Sequence, residues 1–131
     1  MLLALFPLVR AASPELYVRE VDESAGTGKP LRMRFEEIER APLYSVVQVT
    51  HTSGASVPSV MFVVRGMWEM AHQRRTPFFI KLREWTAPGG KWLYKVGFAS
   101  SDQVDVHSYF GEAPKEAKFL SVQEYDRIFR D

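Results

Sequence analysis

Residues 58–75 read PSVMFVVRGMWEMAHQRR, and this stretch predicts the central element of the fold. Its apolar side chains share one broad arc at about 100° per residue, the spacing of an amphipathic helix. They are Val60, Val63, Val64, Met67, Trp68, Met70 and Ala71. Pro58 suits the first turn because its missing N–H leaves no donor unpaired there. Pro77 ends the helix, since a residue that precedes proline disfavours helical geometry.

Two residues depart from the amphipathic pattern. Gly66 lies in the middle of the predicted helix, where glycine costs about 1 kcal/mol relative to alanine. We therefore expect a neighbouring backbone to approach the helix closely at this position. Phe62 falls on the polar side, which indicates a second packing surface or a partner.

Residues 78–99, FFIKLREWTAPGGKWLYKVGFA, follow the helix and predict a β-hairpin around the connection Thr86–Gly90. One register groups a first set of apolar residues on one face: Phe78, Ile80, Leu82, Trp92, Tyr94, Val96 and Phe98. The other face then carries Phe79, Lys81, Arg83, Trp85, Lys91, Leu93 and Lys95. A slip of one residue would exchange the two sets in one strand relative to the other.

The rest of the chain adds strands and a second helix. Residues 15–21 and 43–50 have strand patterns, and 31–35 alternate apolar and basic residues, which favours a strand although helical spacing is also present. Residues 100–109 are polar and turn-like. Ser121 and Glu124 match a capping box, which predicts a helix from Val122 to about Arg130.

These elements indicate an α+β fold: one long amphipathic helix packed on an antiparallel sheet, with a short C-terminal helix, in a single domain over residues 12–131. In outline, the order of strand, long helix and antiparallel meander resembles cystatin-like and nuclear-transport-factor-like architectures. This resemblance transfers no functional residues.

The N-terminal residues 1–11 predict a secretory signal. Leu2–Val9 is an unbroken apolar run of eight residues, whereas a membrane-spanning helix needs about twenty. Val9 and Ala11 have the small side chains that cleavage after Ala11 requires. We therefore expect a periplasmic or secreted protein without a transmembrane span. An N-terminal arm packed on the core of a cytoplasmic protein is the alternative, because no Lys or Arg precedes the run.

Composition and spacing exclude several chemistries. The chain has no cysteine, which rules out thiol nucleophiles and Cys-ligated metals, and its net charge of +1 provides no global field for nucleic acid. His51, His72 and His107 are isolated from one another, so no pair has metal-binding spacing. No catalytic motif is present. We expect no catalytic residues, no metal site and no cofactor.

The basic and aromatic face of the hairpin is the candidate binding surface, made of Phe79, Lys81, Arg83, Trp85 and Lys95. It predicts a small non-enzymatic binding domain that contacts a protein or glycan partner. One alternative is a domain that binds a small molecule in an apolar pocket between the helix and the sheet. This alternative includes a hydrolase or an isomerase. Its predicted lining is Met61, Met67, Trp68, Met70 and Trp92. A further alternative is a single-stranded nucleic-acid binder, since bases stack on aromatic side chains between cations.

Overall fold

The computed structural model describes residues 15–22, 32–51 and 57–130. The predicted signal or arm at residues 1–11 lies outside them. Six described strands form one curled antiparallel sheet with the order β1-β2-β3-β5-β4-β6. The strands are β1 (Val18–Asp22), β2 (Arg32–Arg40), β3 (Tyr44–His51), β4 (Phe78–Ala87), β5 (Lys91–Ala99) and β6 (Leu120–Ser121).

Three helices are described: α1 (Val57–Arg74), α2 (Val106–Phe110) and α3 (Val122–Phe129). The α+β class and the antiparallel sheet predicted from the sequence are confirmed. The Ser121 hydroxyl accepts a hydrogen bond from the Glu124 amide at 3.3 Å, so the predicted cap begins α3.

The segment that sequence patterning left ambiguous is a strand, β2. Met33, Phe35 and Glu37 are buried, and they alternate with more exposed neighbours. This alternation points Met33 and Phe35 at the same side of the sheet, where α1 covers them. β2 therefore contributes a full row of side chains to the main core.

The single apolar stripe predicted for α1 is not confirmed. Phe62, on the predicted polar side, is buried, while Val60 of the predicted apolar arc is exposed. Phe62 is buried because it lies next to the edge strand β1. The guanidinium of Arg19, a residue of β1, lies 5.7 Å from the centre of the Phe62 ring. At Gly66 the close neighbour is the ring of Phe35 rather than a backbone, since a Cβ built there would lie 2.7 Å from it.

The predicted hairpin forms between β4 and β5, but its register differs in the first half of β4. Phe79 pairs with Phe98, and Lys81 pairs with Val96. Directly paired residues project to the same face of an antiparallel sheet, so Phe79 and Lys81 lie on the side of α1. Ile80 lies on the opposite side. The face predicted for Phe79 and Lys81 is therefore wrong.

A β-bulge restores the predicted arrangement in the second half of the strand. The register shifts between Lys81 and Arg83, so that Arg83 pairs with Lys95 and Glu84 pairs with Tyr94. Because the bulge inserts one extra residue, Lys81 and Glu84 both project toward α1 although they are three residues apart. Arg83 and Lys95 project to the opposite side, as predicted.

A second, smaller core lies on the side of the sheet opposite α1. Ile80, Leu82 and Val106 are buried there against partly buried Tyr44, Phe110 and Phe119. Sequence analysis missed α2 in this region. Asp105 caps its first turn through the Ser108 amide, and Gly111 ends it with a φ of 81°. Both signals are in the sequence, but a helix of five residues leaves little periodicity to detect.

Candidate functional site

The candidate site is a cavity between α1 and the sheet. It has a volume of about 390 Å³ and lies on the side of the sheet that α1 covers. The helix contributes four apolar side chains spaced by three and four residues, so they share one face. They are Val60, Val63, Val64 and Met67. This face of α1 leaves open space above the sheet instead of filling it.

Neighbouring strands provide the opposite wall. Val49 of β3 pairs with Trp92 of β5, so their side chains lie next to each other. Met33 of β2 extends this wall on one side, and Leu120 of β6 closes the other. The wall therefore spans the sheet from β2 to β6, and every residue named here is apolar or aromatic.

Three polar residues complete the lining: Lys81, Glu84 and Tyr94. The bulge in β4 brings the first two together, and Lys81 Nζ lies 2.7 Å from Glu84 Oε1. The same Nζ lies 5.9 Å from the centre of the Tyr94 ring. Burial, reinforced by the negative charge of Glu84, raises the pKa of the Tyr94 hydroxyl to about 12. That hydroxyl therefore stays protonated at neutral pH and can donate a hydrogen bond.

The described lining is mainly apolar, and its polar residues are one lysine, one glutamate and one tyrosine. No histidine or serine is among the described residues that line the cavity, so they provide no nucleophile paired with a base. Within residues 15–22, 32–51 and 57–130, no group of three His, Cys, Asp or Glu side chains is arranged to hold a metal ion.

The five residues predicted as one binding face are divided between the two sides of the sheet. Phe79 is fully buried in the main core, where its ring lies 6.2 Å from that of Tyr125. Lys81 lines the cavity. Arg83, Trp85 and Lys95 remain together on the opposite side.

Charges on that opposite side are largely compensated within the chain. The Glu112 carboxylate accepts a hydrogen bond from Lys95 Nζ and lies 3.5 Å from Arg83 Nε. Lys95 also lies 4.2 Å from the centre of the Tyr44 ring, and only 13% of its side chain is exposed. Arg83 lies 4.8 Å from the centre of the Trp85 ring. Of the three predicted residues on this side, Arg83 keeps the most exposed charged side chain, at 57%, next to Trp85.

The lining predicted for the alternative pocket is partly correct. Met67 and Trp92 line the cavity, but Met70 and Trp68 are buried in the core and Met61 packs against it. Trp68 has a structural partner, because its Nε1 donates to Asp126 Oδ1 at 2.9 Å. Sequence reasoning missed the strand residues Met33 and Val49, although the alternation of apolar residues in β2 and β3 was the signal for them.

His72 joins the hydrogen-bond cluster that connects α1 to α3. Its Nε2 lies 2.9 Å from Asp126 Oδ1, which also accepts the hydrogen bond from Trp68. Hydrogen bonding to His72 holds the pKa of Asp126 below its usual value. His107 is exposed on α2, and Asp105 nearby is used as its cap. Neither arrangement adds a reactive group to the cavity.

Glu37 is the other charged group whose environment the sequence did not predict. Its side chain is buried in the sheet. Burial alone would raise its pKa, but hydrogen bonds from Arg40, the Ser45 hydroxyl and the Tyr17 amide outweigh burial and lower it. Arg74 Nη2 donates to the same hydroxyl oxygen at 2.8 Å. This network fastens the end of α1 to β2 and β3 and is structural.

Comparison with known proteins found no matching family model, no matching curated protein and no matching solved structure. No helix in the part of the chain that the structure describes is both long and apolar enough to cross a membrane.

Proposed function

We propose that this chain is a non-enzymatic domain that binds a small, mainly apolar molecule in the cavity between α1 and the sheet. The observation that carries the proposal is the size of that cavity, 390 Å³. Ligand sites in proteins have volumes of about 300–1,000 Å³ and mostly apolar walls with a few polar groups. The described lining has this composition, with three polar residues among eleven.

The volume and the apolar walls of the cavity indicate the size of a suitable ligand. At about 30 Å³ per molecule of liquid water, this cavity corresponds to about thirteen waters. Apolar walls give water few hydrogen-bond partners, so a ligand of about the same number of non-hydrogen atoms is the better occupant.

A neutral aromatic probe tests this function. 2-Acetylnaphthalene has about thirteen non-hydrogen atoms, and at about 0.3 kcal/mol per atom its Kd is about 1 mM or tighter. Binding is measured by quenching of tryptophan fluorescence, with Trp92→Phe identifying the quenched residue.

Two matched substitutions make the test specific. Val64→Phe fills the cavity and weakens binding at least about tenfold, whereas Val18→Phe, on an exposed position of β1, leaves binding unchanged. Equal binding by both variants, or none by the wild type, would show that the cavity is not the site. Circular dichroism confirms that each variant is folded.

A second candidate is contact with a protein or glycan through the side of the sheet opposite α1. The observation that favours it is the exposed Arg83 guanidinium next to Trp85, since arginine and tryptophan often dominate binding interfaces. Arg83→Ala and Trp85→Ala should each abolish recovery of a specific partner from host extract, while Gln73→Ala, at an exposed position of α1, should not. Equal recovery with all three variants would exclude this face.

We also propose that the protein is exported, with residues 1–11 as its secretory signal. Mass spectrometry of the protein isolated from its host tests it directly. A mature chain that begins at Ala12 supports a periplasmic or secreted protein, and an intact N-terminus supports the cytoplasmic alternative.

The nucleic-acid alternative predicts that the protein shifts a labelled single-stranded oligonucleotide in a gel at low salt, and no shift would exclude it.

A further inference from the structure

We infer that the ligand of the cavity is an aromatic monoanion whose negative group binds Lys81 and Tyr94 while its ring lies between α1 and Trp92. This inference rests on the proposed function, because it assigns a chemical class to the molecule in the same cavity. Its basis is the placement of the Lys81 ammonium group near the Tyr94 ring, with the Glu84 carboxylate beside it, in a cavity whose other described lining residues are apolar or aromatic.

Lys81 is the only positively charged residue among those described as lining the cavity. The β-bulge gives it this position, since in a regular strand Lys81 and Glu84 would project to opposite faces. Its ammonium group also lies near the face of the Tyr94 ring. The long aliphatic stem can therefore cover the cavity while the charge stays at its polar side.

The ion pair with Glu84 leaves Lys81 available. Its side chain is 51% exposed and that of Glu84 is 36% exposed. Exposed pairs of this kind add little net stability, because water solvates both charges and two flexible side chains lose freedom. A ligand carboxylate can therefore replace Glu84 as the partner of Lys81, and the Glu84 carboxylate can turn to solvent.

The polar side of the cavity holds both donors and acceptors, and Lys81 keeps N–H donors that Glu84 does not use. A lysine ammonium has three N–H donors, of which Glu84 takes one. The Tyr94 hydroxyl provides a further donor. These donors match the two oxygens of a carboxylate. A ligand cation would compete with Lys81 for the Glu84 carboxylate, as a ligand anion competes with Glu84 for Lys81.

The apolar walls favour a flat ring. Trp92 and Tyr94 are two residues apart on β5, so their rings project from the same face of the sheet. Met67 of α1 lines the facing wall, and Met33 extends the wall of the sheet. Methionine sulfur makes favourable contacts with aromatic rings and adapts its shape to them. An aromatic ligand can therefore contact both walls at once.

Three naphthalenes of similar size and different charge test the inference. 2-Naphthoate is anionic, 2-acetylnaphthalene is neutral and 2-naphthylmethylamine is cationic at pH 7. Each is titrated into the full chain by calorimetry and by fluorescence. We expect 2-naphthoate to bind about five- to tenfold more tightly than the neutral probe, and the amine to bind most weakly. Added salt should reduce the advantage of the anion, because the site is partly exposed.

Variants show which side chains make the anionic probe bind more tightly than the neutral probe. Lys81→Met keeps most of the aliphatic stem and should make the anionic and neutral probes bind equally. Lys91→Met, an exposed position of the same hairpin outside the cavity lining, should leave the advantage unchanged. Tyr94→Phe should reduce it about two- to fivefold. Binding of the neutral probe to all three variants serves as the control for an intact cavity.

The outcomes separate the two proposals. Equal binding of anionic and neutral probes to the wild type, tighter binding of the amine, or an advantage that survives Lys81→Met would each overturn the anionic ligand and leave the cavity as a binding site. Failure of all three probes to bind would overturn the proposed function as well.

Discussion

Replacing Gly66 by alanine tests the closest contact between α1 and the sheet. A Cβ atom at this position would lie 2.7 Å from Phe35 Cε2 and Cζ, whereas carbon atoms normally approach to about 3.5–4.0 Å. Phe35 cannot easily move aside, because it is completely buried and its ring packs edge-on against Tyr17 at 5.7 Å. The substitution therefore forces α1 away from β2 or strains the ring.

Two opposing effects determine how much Gly66→Ala changes the free energy of unfolding. Overpacking of a core costs about 1–3 kcal/mol, and an overlap of about 1 Å with a rigid ring belongs at the upper end. Alanine recovers about 1 kcal/mol of helix propensity relative to glycine. We expect Gly66→Ala to lower the free energy of unfolding by about 2 kcal/mol. For a chain of 131 residues this corresponds to a Tm about 7 °C lower.

Urea denaturation followed by circular dichroism measures this change. Gln73→Ala, at an exposed position of the same helix, should shift the free energy of unfolding by no more than about 0.5 kcal/mol. Combining Gly66→Ala with Phe35→Leu should cost less than the sum of the two single changes, because the smaller side chain relieves the overlap. If Gly66→Ala instead increases stability by about 1 kcal/mol, the contact between α1 and β2 is not as close as described.

Three further predictions concern stability. The pKa of Glu37 is lowered in the folded protein, so its contribution to stability is complete above the ordinary pKa of 4.5 and is lost as pH falls below it. Glu37→Gln should therefore flatten this part of the profile of stability against pH. An unchanged profile would contradict the buried network. Trp68→Phe removes the hydrogen bond to Asp126 and should cost about 1–2 kcal/mol in urea denaturation, with a cost near zero as the opposing result. Ser121→Ala removes the cap of α3 and should cost about 1 kcal/mol. Faster amide exchange confined to α3 would accompany that loss, whereas exchange that does not change would show that the cap is unimportant.

Local sequence signals predicted most of the secondary structure. The glycines of the hairpin connection adopt positive φ angles, 88° at Gly89 and 72° at Gly90, as the turn residues indicated. The hydroxyl of Ser121 caps α3 as its spacing to Glu124 indicated. Signals of this kind act within a few residues, so a single sequence is enough to detect them.

The candidate site was harder to predict because it depends on contacts between distant residues. No local pattern marks the bulge after Lys81, yet it decides which side of the sheet Lys81 and Glu84 face. The buried position of Phe62 likewise depends on Arg19, 43 residues earlier in the chain. The cavity itself forms where β2, β3 and β5 meet α1, and the sequence indicated only two of its lining residues correctly, Met67 and Trp92.

The short pairing between β6 and β4 affects how the protein behaves at high concentration. β6 covers only Phe78 and Phe79, and no other described strand pairs with the outer side of residues 80–87. An uncovered strand edge of this kind is a template for intermolecular β-sheet and thus for aggregation. The charged side chains of Lys81, Arg83 and Glu84, together with the bulge, oppose such growth by making a regular ladder with another chain unfavourable. The bulge that brings Lys81 and Glu84 to one side of the sheet therefore also disfavours pairing of this edge with another chain.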